Sequence, residues 1–130
     1  MMRKTATMAM VMLVALGATQ LWANPYDKAA TVAAMRANAA RIQTIKTAVA
    51  AGDYFAAAQS FFDYAKVAEY MLKSDPPKGS KDEWIAIWQA FEDQSLMAVG
   101  LCATKDSARI LKALDDIVGL NKQGHTKFRN

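Results

Sequence analysis

From Pro25 onward, apolar positions recur every three or four residues, and no stretch alternates with the period of two that marks a half-buried strand. Val32, Met35, Ala39, Ile42, Ile45 and Val49 predict a first helix with one apolar stripe. Asn24 is suited to cap it, Pro25 to open it, and Asp27 to complement the dipole of its first turn. Ala51-Gly52 ends it, and so short a link predicts an antiparallel neighbour. Asp53 then caps a second helix whose inward residues are expected to be Phe55, Ala58, Phe61, Phe62, Ala65, Ala68 and Leu72, with Lys66 and Glu69 outward.

Ser74-Asp75-Pro76-Pro77 stops that helix, because Pro76 disfavours helical backbone at Asp75 and neither proline can donate a main-chain hydrogen bond. Ser80 and Glu83 have the spacing of a capping box, so a third helix starts there. Its stripe is Trp84, Ile87, Trp88, Phe91, Ala98 and Leu101, interrupted by Gln94 and Ser95, and it ends near Thr104-Lys105. Asp106 caps a fourth helix with the stripe Leu111, Leu114, Val118, Asn121, His125 and Phe128. Four helices of about 20 residues joined by short links predict an all-α fold, an up-down-up-down antiparallel four-helix bundle.

Composition narrows the classes. The chain has 130 residues and a single cysteine, Cys102, which excludes a disulfide framework and a cysteine-rich zinc cluster. The basic start Met1-Met2-Arg3-Lys4, the apolar run Ala6 to Ala18 and the small residue Ala23 predict a secretory signal peptide over residues 1–23, cleaved before Asn24. The apolar run is shorter than the roughly 20 residues a spanning helix needs, so no stable membrane insertion is expected. Residues 24–130, 107 in all, then form one bundle domain in the periplasm, with 14 Lys and Arg against 12 Asp and Glu. That near-balance lacks a basic block or interleaved aromatics, so nucleic acid is not an expected partner. Five of the eight methionines lie in the leader, which argues against a methionine-rich copper carrier.

A bundle binds cofactors between facing helices, so the inward residues with unusual chemistry matter: Met35, Asn121 and His125. Taken singly, an inward methionine is ordinarily a flexible core filler, and a histidine near a helix C-terminus ordinarily complements the dipole. Enzymatic sets are missing from the sequence pattern. There is no second histidine, no Ser/His/Asp set and no Glu-x-x-His pair for a di-iron site, so an enzyme is not expected.

The stretch Val118-Gly119-Leu120-Asn121-Lys122-Gln123-Gly124-His125-Thr126-Lys127-Phe128-Arg129 resembles the C-terminal end of the cytochrome c prime family, which carries Val-Gly, then C-x-x-C-H, then x-x-Phe-Arg. Asn121 and Gly124 stand where that family has its two haem-attaching cysteines, while His125, Phe128 and Arg129 keep their places. Met35-Arg36-x-Asn38, Pro77-x-Gly79-Ser80 and the acidic-aromatic run Glu83 to Phe91 are similar to that family's first helix, second linker and third-helix start. The chain is also similar to the soluble b-type four-helix cytochromes of the bacterial periplasm, which hold haem non-covalently by a first-helix methionine and a histidine near the C-terminus.

These resemblances imply a non-covalent haem b with His125 as proximal and Met35 as distal iron ligand, and with Asn121, Gly124, Phe128 and Arg129 around the cofactor. Covalent c-type attachment is excluded by the loss of both cysteines, and Cys102 is no substitute because it lacks the C-x-x-C-H setting. An imidazole and a thioether on opposite haem faces suit one-electron transfer with a periplasmic redox partner. The same resemblance allows a haem-free descendant of the fold kept as a binding or structural module, and a homodimer.

Overall fold

The computed structural model describes residues 24–129. Four helices pack against one another: α1 (Lys28–Ala50), α2 (Tyr54–Leu72), α3 (Lys81–Cys102) and α4 (Ser107–Phe128). Among the described residues there is no strand, only an isolated bridge between Asn24 and Ser74. No helix in this region is long and apolar enough to cross a membrane. The leader expected over residues 1–23 lies outside the described residues.

Each helix begins at a side-chain cap. Asp27, Asp53, Ser80 and Asp106 accept from the main-chain N–H of Ala30, Ala56, Glu83 and Arg109 at 3.0, 3.0, 3.3 and 3.2 Å. Three of these caps match the sequence expectation. At α1 the cap is Asp27, not Asn24, whose main chain instead bonds Lys73 O and Asp75 N, both at 2.8 Å, tying the lead-in segment to the linker after α2. The Glu83 carboxylate turns toward Lys127 at 3.8 Å. Gly52 closes the first link with φ of 71°, a left-handed conformation that a side chain resists.

The core is built on aromatic and aliphatic side chains at helical spacing. Phe61, Tyr64, Phe91, Trp88, Trp84 and Phe128 form a continuous chain of rings with successive centroids 6.4, 5.6, 5.2, 5.7 and 5.0 Å apart. Most of these pairs are edge-to-face, which places the positive rim of one ring on the negative face of the next. Ile45, Met71, Ile110, Leu114 and Ile117 fill the space around them, each fully buried. Truncating a ring such as Phe91 to alanine would cost about 3–5 kcal/mol.

The inward faces differ from the expected stripes in an informative way. On α2 the buried set is Ala57, Ser60, Phe61, Tyr64, Ala65, Ala68 and Met71, so Phe55 and Phe62 point outward, with Phe55 82% exposed. An apolar residue can sit on either side of the seam, and the aromatic content of this helix exceeds what one face accommodates. On α4 the face is Ile110, Leu114, Ile117 and Phe128. Ser95 of α3 is fully buried and donates to the Phe91 carbonyl at 2.7 Å, which is how a hydroxyl fits the expected interruption of that stripe.

Candidate functional site

Not every apolar-stripe residue is buried. Val32, Ala39 and His125 are exposed, and Met35, Ile87 and Asn121 are half-buried. All six line one cavity of about 530 Å³ bounded by α1, α3, α4, the lead-in segment and the linker before α3. The stripes therefore continue along the helices, but over this part of the bundle they face open space instead of one another. The helix pair α1 and α4 has the loosest packing of the adjacent pairs, which is what leaves the opening. The volume falls in the range of about 300–1,000 Å³ typical of small-molecule sites.

The two candidate iron ligands, Met35 on α1 and His125 in the last turn of α4, both line this cavity, and so do Asn121, Gly124, Phe128 and Arg129. All six residues that the resemblances implicate around the cofactor thus line one cavity. Trp84, Trp88 and Phe91 supply an aromatic wall from α3. Trp84 is fixed by its indole N–H, which donates to Met71 O at 2.9 Å, and by the Phe128 ring edge-on against it. Gly79, with φ of 80°, lets the linker close over Phe128: a β-carbon there would come within 3.4 Å of the ring. At Gly124 a β-carbon would meet the nearest Ile87 methyl at 3.8 Å, an ordinary contact, so the helix tolerates a side chain at that position.

Behind the cavity lies a buried polar group, Asn38, that the apolar stripes gave no reason to expect. Asn38 is only 2% exposed; its Oδ1 accepts from Arg41 Nη1 at 2.8 Å, while its Nδ2 has no protein partner. Beside it a void of about 10 Å³, close to the space one water needs, is lined by Asn38, Tyr64 and Asn121 together with Phe91, Ile42, Ile117 and Val118. Asn121 and Phe91 line both spaces and so form the partition between them. The Tyr64 phenol is pushed up to about 12 by burial, against an opposing pull from the Arg41 guanidinium.

Several wall residues escaped the sequence analysis. Tyr26, Lys28 and Thr31 line the cavity without belonging to any motif, while Arg36 and Leu120 sit inside the Met35-Arg36-x-Asn38 and Val118 to Arg129 stretches without having been singled out there. Arg36 also lies four residues from Val32 on α1, so helical spacing placed it on the same face. Cys102 is buried at the end of α3 remote from the cavity-lining residues, and burial raises its thiol above the usual range. Among the described residues no group of three or more His, Cys, Asp and Glu could hold a bare metal ion. No protein-family model, curated protein or solved structure matches the chain.

Proposed function

We propose that this is a periplasmic, cytochrome-like protein that binds haem b non-covalently, with His125 and Met35 as axial ligands, and serves one-electron transfer. The observation that carries this reading is the convergence of Met35, Asn121, Gly124, His125, Phe128 and Arg129 on one apolar cavity. The residues present suit the group. One imidazole and one thioether are the donors, aromatic rings supply the walls, and Arg129 lies within reach of the rim to pair a propionate. Bound there, haem would supply a reversible one-electron couple, raised in potential by a thioether ligand.

The protein's own part is to hold and orient. The Trp84, Trp88 and Phe91 wall excludes water from one side of the cavity, and the carboxamide of Asn121 offers the only amide among its lining residues. With Asn121 and Gly124 in place of cysteines, retention depends on ligation, apolar contact and the cationic rim alone.

An up-down-up-down order of the helices belongs to the same reading. Cross-helix pairs support it, since their numbers run in opposite senses: Asn24 with Lys73 and Asn38 with Tyr64, Tyr64 with Phe91 and Met71 with Trp84, Trp84 with Phe128 and Ile87 with Gly124. That order brings the start of α1 and the end of α4 to one end of the bundle, where Met35 and His125 are needed.

Titration of the purified protein with haemin, followed by absorption before and after dithionite, tests the reading. A saturable Soret shift that sharpens on reduction is expected. A protein that leaves the haemin spectrum unchanged would instead be the haem-free bundle, a binding or structural module.

A further inference from the structure

The same cavity has a second property that involves neither iron nor its ligands. Lys28, Arg36 and Arg129 line it, whereas no aspartate or glutamate does. None of these three cations forms an ion pair with another described residue within 4.0 Å. They come from the first turn of α1, from further along α1 and from the residue after α4, so positive charge approaches the opening from two helices. The interior between them is apolar: Val32, Ile87, Leu120 and the tryptophans.

This combination selects for a ligand class. An apolar wall rewards burial of a hydrocarbon or aromatic body in proportion to its area, and is indifferent to charge. A set of lining cations with no aspartate or glutamate among the lining residues favours an anionic head and disfavours a cationic one, and the planar guanidinium of arginine matches a carboxylate with two parallel hydrogen bonds. We infer that the cavity binds amphipathic carboxylic acids in their own right, body inward and carboxylate at the Lys28, Arg36 and Arg129 rim, whether or not it also takes haem. The first-turn lysine and the residue following α4 are at the ends of their helices, so their side chains can follow heads of different size. Selectivity would therefore lie in the charge and the apolar body more than in the exact shape of the head.

An iron-free titration isolates this inference. The indole N–H signals of Trp84 and Trp88, both in the cavity wall, are followed by NMR while octanoate or 1-octanol is added at pH 8 and low salt. Both signals should shift with octanoate, at an affinity about tenfold above that for octanol, the factor expected of a charge-assisted hydrogen bond. Replacing all three rim cations, Lys28→Gln with Arg36→Gln and Arg129→Gln, should bring octanoate down to the level of octanol while octanol binding stays as it was, which also reports that the variant is folded. Equal affinities for acid and alcohol in the unaltered protein, or an octanoate preference that survives the triple substitution, would overturn the inference. Because no iron is present, the result is independent of the outcome with haemin.

Discussion

The Tyr64 hydroxyl of α2 donates a 2.9 Å hydrogen bond to the main-chain carbonyl of Asn38 in the middle of α1. Asn38 is one helical turn beyond Met35, so this buried bond ties the segment that carries the candidate thioether ligand to the core rather than leaving it to follow the loose α1–α4 contact. The Tyr64 ring in turn stands edge-on to Phe91, a wall of the cavity, at 5.6 Å.

Replacing Tyr64 by phenylalanine should therefore cost about 1 kcal/mol, the net worth of a buried hydrogen bond. The phenol keeps its proton more tightly in the folded state, up to about 12, so its stabilising effect is complete below the unfolded value near 10 and is lost as pH rises through about 12. Urea unfolding at pH 8 and pH 11.5 checks both statements. A Tyr64→Phe protein that still shows the same alkaline loss would reject the assignment.

Unequal roles are expected for the two axial candidates. His125→Ala should abolish or severely weaken haemin binding, because it removes the stronger donor. Met35→Leu should retain haemin but move the iron toward five-coordinate high spin and lower its potential, since a weak thioether is lost and the imidazole stays. Absorption and electron paramagnetic resonance of the two variants distinguish these outcomes; identical spectra for both would contradict the ligand pair.

Covalent attachment should be recoverable. Asn121 lines the cavity and Gly124 has room for a β-carbon, so Asn121→Cys with Gly124→Cys would create C-x-x-C-H in the last turns of α4. Expressed with c-type maturation machinery, that variant should hold haem through acid-acetone treatment and give a c-type pyridine haemochrome, whereas the unaltered protein should release all of its haem. Extractable haem from the double variant would show that these positions do not meet the vinyl groups.

The thiol should be inert in the native protein. Cys102 is 3% exposed, and burial disfavours its thiolate. A chromogenic disulfide reagent at pH 8 should label it only after denaturation, and circular dichroism should show the same helical spectrum with and without reductant. Rapid labelling of the folded protein would indicate that the end of α3 opens.

Export is the remaining expectation. The basic start, apolar run and Ala23 motivate cleavage there, and the intact mass of periplasmic protein should correspond to a chain beginning at Asn24. Recovery of full-length protein in the membrane fraction would reject it.

Four helices and nearly all their ends are legible in the sequence. These rest on local chemistry: Asp53, Ser80 and Asp106 cap within three residues, Gly52 reverses the backbone, and two prolines bar a helix. Periodicity also identified the stripe residues Met35, Asn121 and His125, but it cannot say whether a stripe meets another stripe or open space. That was decided by packing between helices distant in sequence: α1 and α4 stay apart near Met35 and His125, so residues expected to be buried became walls of a cavity. Tertiary structure likewise chose Tyr64 over Phe62 for the core, buried Asn38, and gathered Lys28, Arg36 and Arg129 at one opening. Each of these depends on the rotation of a helix about its axis, which is set by the sum of contacts on all its sides and leaves no mark in any short stretch of sequence.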